Sequence, residues 1–177
     1  RVRFLGPEEL PGTVGKAVAL GVRPGDAARL VAPPSVDTRL GASYTIEAWV
    51  HPTRVGGWNR LVLNWGAAPR YAYHLALHNG MASLYHGQAD GTYRFAEGGR
   101  LVAGRWYHIA GVARCNDADP ARSTLEVYLN GKLVAKSFYD GTARKLKSEG
   151  LGIGDSAGAP SPSCRFHGYL DELAIWD

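Results

Sequence analysis

The sequence is poor in the features that mark many functional classes. It has one Met and two Cys in 177 residues. Neither Cys115 nor Cys164 belongs to a CxxC or a Cys/His zinc pattern. There is no initiator Met and no signal-peptide pattern at Arg1, as expected of a mature chain or of a module cut from a longer one. No apolar run approaches the roughly 18 residues of a membrane-spanning helix, so no membrane span is expected. Charge of one sign is also lacking: 20 Lys and Arg stand against 16 Asp and Glu, a net charge of +4. The densest basic stretch, Arg144, Lys145 and Lys147, reads as a solvated loop. A nucleic-acid binder would carry a longer basic stripe with interleaved aromatics, so no nucleic-acid partner is expected.

What is abundant is turn chemistry. Gly (23) and Pro (10) make up 33 residues, about 19% of the chain, where ordinary usage is about 12%. With 45% hydrophobic and 10% aromatic residues the chain is too apolar for disorder. Strand signals dominate. Thr45 to Val50 alternates, with Ile46, Ala48 and Val50 on one face and Thr45, Glu47 and Trp49 on the other. Arg60 to Trp65 is a short apolar run. Tyr71 to His78 alternates and meets Asn79-Gly80, a two-residue hairpin signal, with Met81 to His86 as the returning strand. Trp106 to Arg114 reads as a strand. Leu125 to Leu129 ends at a second such turn, Asn130-Gly131, followed by Lys132 to Lys136. The last strand runs from Tyr169 to Trp176. Between them lie turn-rich joints at Pro33-Pro34, Gly56-Gly57, Gly98-Gly99, Asp117 to Pro120 and Gly158 to Ser163. No helical stripe of ten residues stands out. The pattern predicts an all-β chain, a two-sheet antiparallel β-sandwich, in one domain over residues 1–177.

Four segments in order carry a resemblance. Tyr44-Thr-Ile-Glu-Ala-Trp-Val-His-Pro52 resembles the opening strand of laminin-G-like domains with the concanavalin A-like jelly roll. Gly104-Arg-Trp-Tyr-His-Ile-Ala-Gly-Val112 resembles their W-x-H-V-A strand, and Leu125-Glu-Val-Tyr-Leu-Asn-Gly-Lys-Leu-Val134 their hairpin. Phe166-His-Gly-Tyr-Leu-Asp-Glu-Leu-Ala-Ile-Trp-Asp177 is similar to their closing strand. Gly15 to Val31 is similar to the opening segment, where a Gly-Asp pair, here Gly25-Asp26, precedes an apolar strand.

The resemblance implies a structural calcium tying the opening segment to the closing strand. The matching residues are Asp26 and Asp171, with carbonyls near Gly25 completing the six to eight oxygens that Ca²⁺ prefers. The other reading gives Asp26 a turn hydrogen bond and Asp171 an ordinary strand contact. Cys115 and Cys164 are expected to pair. A bridge would close a loop of about 50 residues, constrain the unfolded chain by roughly 4 kcal/mol and imply an oxidising compartment. The other reading is two free thiols.

Catalysis finds little support. Glycosidases place two carboxylates about 5 to 10 Å apart. Glucan-cutting jelly rolls carry E-x-D-x-E along a strand, a string this sequence lacks. Glu47 stands alone on its strand, and Asp171 and Glu172 are expected to face opposite ways. No G-x-S-x-G elbow is present. His74 and His78 are four apart, but on a predicted strand and without the Glu of H-E-x-x-H, so zinc is not expected. Asp117 and Asp119 lack the central Gly and distal Glu of an EF-hand loop. His108 is expected to be packed and hydrogen-bonded.

Sugar recognition is better supplied. Flat aromatics stack on the apolar faces of sugars, and planar polar groups orient hydroxyls. The stretch from Trp58 to Arg94 is rich in both. If Leu75 and Leu77 face the core, His74 faces outward with Tyr85 beside it. Trp58, His74, Tyr85 and Arg94 are the expected ligand-binding residues. The expectation is a monomeric, non-catalytic, secreted carbohydrate-binding module. Two rival readings stand beside it: an accessory domain packing on a neighbouring domain of the same chain, and a glycan-active hydrolase or lyase.

Overall fold

The structure, a computed structural model, describes residues 3–5, 15–24, 26, 29–32, 40–65, 71–143, 150–158 and 160–177. The basic stretch at 144–147, the Pro33-Pro34 joint and Gly25 lie outside the described residues.

The longest strands form where apolar and polar residues alternate. In β4 (Tyr44–Pro52), Tyr44, Ile46, Ala48, Val50 and Pro52 are all buried, and the residues between them are not. In β6 (Tyr71–His78), Tyr73, Leu75 and Leu77 enter the core. β6 returns as β7 (Met81–Gly87) through Asn79-Gly80, both at positive φ (49° and 80°), as the tight hairpin requires. β10 (Ser123–Leu129) returns as β11 (Lys132–Tyr139) through Asn130-Gly131 at 49° and 75°.

Two sheets result. With β1 (Arg3–Leu5), β2 (Ala17–Leu20), β9 (Tyr107–Arg114) and β13 (Gly168–Trp176), one sheet runs β1-β2-β13-β4-β9-β10-β11. With β3 (Leu30–Val31), β5 (Trp58–Trp65), β8 (Tyr93–Arg100) and β12 (Leu151–Ile153), the other runs β3-β12-β5-β6-β7-β8. All the strand pairs are antiparallel. Among the described residues the helical pieces are two 3-10 turns, Pro120–Arg122 and Pro162–Cys164. The core between the sheets holds Ile46, Val50, Tyr73, Leu75, Leu84, Ile109, Val127 and Phe166. A polar tie joins the sheets at one end. His86 Nε2 lies 2.6 Å from the Thr142 carbonyl and donates to it, which leaves Nδ1 to accept from Tyr44 Oη at 2.9 Å.

Two sequence expectations need correction. Gly98 and Gly99 are not a joint; they lie inside β8. There β8 comes so close to β11 that a Cβ on Gly98 would sit 2.4 Å from the Val134 carbonyl oxygen. The glycines mark close sheet-to-sheet approach instead of a turn. The second correction is the disulfide. Cys115 and Cys164 are both free thiols. Cys115 follows β9, whose Ala113 pairs with Tyr44, while Cys164 precedes β13, whose Gly168 pairs with Pro52. The two ends of β4 separate these anchor points by about 26 Å at about 3.3 Å per residue, whereas a bridge needs Cα atoms within about 7 Å.

Candidate glycan-binding site

The site is built by strand register on the outer face of the six-stranded sheet. Leu75 and Leu77 point inward, so His74 and His78 point outward. His74 pairs with Tyr85 on β7, Tyr85 with Phe95 on β8, and His78 with Trp58 on β5. Directly paired residues share a face, so these rings meet. Trp58 stacks on His78, centroids 4.2 Å apart and planes 18° apart, and lies 5.6 Å from His74 and 5.3 Å from Tyr85. Tyr85 stacks on Phe95 at 4.8 Å and approaches Tyr93 at 5.8 Å. His74 and Tyr85 form a buried floor, while Tyr93 and Phe95 are half exposed at the sheet edge.

Polar groups frame the rings. His78 Nδ1 lies 2.9 Å from Glu97 Oε2. Burial, helped by the Arg60 guanidinium, pushes the His74 imidazole down to about 3, so it is neutral at pH 7. Arg60 and Arg165 both reach fully buried Asp155: Arg60 Nη1 donates to Oδ1 at 3.0 Å, and Arg165 Nε to Oδ2 at 3.0 Å. The Ser156 and Ser161 amides donate to the same carboxylate. Asp155 thus binds the loop that follows β12 to β5, as a wall beside the aromatic floor.

The structure brings together three of the four expected ligand residues, Trp58, His74 and Tyr85. Arg94 is apart from them. It pairs with His86, placing it on the opposite face of β8, where its Nη1 donates to the Tyr93 carbonyl. Asn59 and His86, from the same aromatic-rich stretch, are buried. The sequence reading missed Phe95 because it missed β8; the Tyr93-Arg-Phe95 alternation was the available signal. It also missed Asp155, whose partners lie 95 and 10 residues away.

The expected calcium carboxylates sit in different settings. Asp26 Oδ2 accepts the Arg23 amide at 2.9 Å, and Asp171 Oδ1 accepts the Glu172 amide at 2.9 Å. Asp171 lies at a bulge of β13, where Glu172 has φ +48°. Among the described residues no group of three or more His, Cys, Asp or Glu comes together. A calcium held through Asp26 and Asp171 would therefore need carbonyls for most of the six to eight oxygens that the ion prefers.

On the seven-stranded sheet, His108 Nε2 is 3.4 Å from Glu47 Oε2 and its ring packs on Trp49. Glu126 accepts from Arg114, Lys136, Tyr128 and Thr124. Burial alone would raise its carboxyl. The hydrogen bonds from Tyr128, Lys136 and Arg114, with the Lys136 charge, outweigh burial and hold it down at about 2.

Comparison with known proteins agrees with the fold. Residues 24–177 match a family model described as the concanavalin A-like lectin/glucanases superfamily. The chain belongs to that family, in its laminin-G-like group. No curated protein matches it. Solved structures similar to it include domain 4 of an extracellular arabinanase from Geobacillus stearothermophilus in complex with arabinotriose. That match has 19% identity and a TM-score of 0.64, and covers 100% of this chain and 75% of that one. The sialidase carbohydrate-binding module of Ruminococcus gnavus bound to α2,3-sialyllactose is 14% identical, with a TM-score of 0.61 over 77% of this chain and 76% of that one. The binding domain of Paraclostridial Mosquitocidal Protein 1 is 14% identical, with a TM-score of 0.68 over 99% of this chain and 42% of that one. No helix of the described residues is long and apolar enough to cross a membrane.

Proposed function

We propose that this chain is a single, monomeric, non-catalytic carbohydrate-binding module of a secreted multidomain protein. It would take its glycan on the outer face of the six-stranded sheet. The carrying observation is the continuous set of rings Trp58, Tyr85, Phe95 and Tyr93, floored by buried Tyr85 and open at Tyr93 and Phe95. Such a platform presents flat π-faces to the C–H faces of a sugar, while His78 and Glu97 offer planar polar groups to hydroxyls. Likeness of fold to a sialidase carbohydrate-binding module bound to sialyllactose and to an arabinanase domain in complex with arabinotriose supports the reading. Both carboxylates described beside this face are engaged, Glu97 with His78 and Asp155 with two arginines, which supports binding over hydrolysis.

Calcium is proposed as a staple between the opening segment and β13 through Asp26 and Asp171, with no part in the glycan contact. A second reading, docking of a neighbouring domain, draws on the same half-exposed Tyr93 and Phe95. A glycan array separates the two. Saturable binding weakened by Phe95→Ala supports the module; a flat response at high protein concentration rejects it. Release of reducing sugar from any bound polysaccharide would overturn the non-catalytic assignment.

A further inference from the structure

A second aromatic face lies on the other sheet. Trp49 and Trp176 are 39% and 60% exposed. The alternation of β4 turns Thr45, Glu47 and Trp49 away from the core. In β13, Trp176 pairs with Thr45 and Ala174 with Glu47, so both indoles stand on the outer face with Glu47 between them. The four positions from Thr45 to Trp49 span about 13 Å of strand.

Both indoles are held in place. Trp176 Nε1 donates to Glu47 Oε1 at 3.0 Å. The other oxygen of Glu47 faces His108 Nε2 at 3.4 Å, and the His108 ring packs on Trp49 at 5.4 Å. One chain of contacts, Trp176–Glu47–His108–Trp49, fixes the two surfaces before any ligand arrives. Fixing rings in advance lowers the entropic cost of binding. Large aromatics of this kind are mostly buried on average, so two held open on one face call for a reason.

The surroundings define what would fit. Beside Trp176 lies a groove of about 470 Å³ lined by Ser43, Thr45, Val112, Arg114 and Asp177. Its two formal charges, Arg114 and Asp177, are of opposite sign. Glu47 is shared between Trp176 and His108, and Glu126 is matched by Arg114 and Lys136. Arg114 and Lys136 together face Glu47, Glu126 and Asp177, so no surplus positive charge is left to select an acidic ligand. The floor strands β4 and β9 are paired on both sides, which leaves a peptide no backbone edge there to extend. Trp176, the Ser43 and Thr45 side chains, a guanidinium and a carboxylate line the groove, and Trp49 stands farther along the same face, a set that suits a polyhydroxylated ring.

We infer that the Trp49–Trp176 face is a second ligand site, for a neutral glycan chain, with both indoles as stacking surfaces. It is on the opposite sheet from Tyr85 and Phe95 and does not depend on them. With both faces occupied, one module would bridge two glycan chains.

The test follows the indole N–H resonances of the ¹⁵N-labelled protein during titration. The probes are arabinotriose, xylotriose, cellotriose and mannotriose, with 3′-sialyllactose as the acidic comparison. At least one neutral trisaccharide is expected to shift the Trp49 and Trp176 signals saturably. Trp176→Ala should weaken that response at least tenfold, and Trp176→Phe should largely keep it. Trp176 is exposed at a strand end, so its loss leaves the core intact; Trp49→Ala is the second variant. Phe95→Ala should leave the response unchanged while weakening any site on the other sheet, so the two sites can fail separately. The inference is overturned if no neutral trisaccharide gives saturable shifts at Trp49 and Trp176. It is also overturned if only sialyllactose does, or if Phe95→Ala abolishes them.

Discussion

Tyr85 and Phe95 lie face to face on neighbouring strands, ring centroids 4.8 Å apart and planes 13° apart. Tyr85 is 8% exposed and Phe95 47%, so one ring supports the other from beneath. Replacing Phe95 with Ala should cut affinity for an array-identified glycan at least tenfold by calorimetry. The lost pair is worth about 0.5–1.5 kcal/mol of stability, so the melting temperature should move only modestly. Unchanged affinity would move the site away from this face.

Asp155 makes a sharper stability prediction. It is fully buried and accepts from two guanidiniums and two backbone amides. Removing one partner of a buried ion pair costs about 3–5 kcal/mol, because the other charge stays behind. Asp155→Ala should lower urea-unfolding stability by that order and loosen the wall beside the rings. A loss below about 1 kcal/mol would mean that water reaches Arg60 freely.

Two buried histidines set the acid limb of the stability curve. Burial lowers His74 to about 3, and it lowers His86 from the ordinary 6.5. Their folded values lie below the unfolded ones, so unfolding takes up protons. Stability should therefore decline as pH falls through about 6.5 towards 3, by up to about 1.4 kcal/mol per pH unit for each proton taken up. Glu126, depressed from 4.5 to about 2, adds a further loss below about pH 4.5. Denaturant melts at pH 7, 5.5 and 4.5 measure the decline. In His74→Phe the slope between pH 6.5 and 4.5 should be shallower.

Gly98 offers a test of packing. A methyl there would stand 2.4 Å from the Val134 carbonyl oxygen, and backbone cannot yield as a flexible side chain can. Gly98→Ala should destabilise by about 1–3 kcal/mol, or more if the sheets must part. Gly56→Ala, which meets nothing within 4 Å, serves as the tolerated control in the same thermal melts.

The calcium proposal is tested by heat. EDTA should lower the melting temperature, added Ca²⁺ should restore it, and Asp171→Asn should remove the difference. Identical melts with and without chelator would leave Asp26 and Asp171 as turn and strand acceptors.

Much of this fold was legible in the chain because alternation is a local signal. β4, β6, β10 and both Asn-Gly turns follow from neighbouring residues. β8 was hidden because its glycines read as a loop, while their meaning lies in β11, more than thirty residues away. Phe95 disappeared with it. Arg94 was grouped with the rings, from which the register places it on the opposite face, because a strand's two faces can be told apart only once the strand is recognised. Asp155 gives no local sign, since its partners meet it only in three dimensions. Cys115 and Cys164 show the reverse error: a count suggested a bond, and the length of β4 keeps the two thiols at opposite ends.

The close approach at Gly98 also affects how the molecule behaves in company. β8 and β11 are the terminal strands of their sheets, the places where an uncovered backbone ladder would recruit strands from other chains. Here they lean on one another, and Ser137 Oγ donates to the Phe95 carbonyl. Each margin partly shields the other, a built-in guard against aggregation on the flank beside the exposed Tyr93 and Phe95.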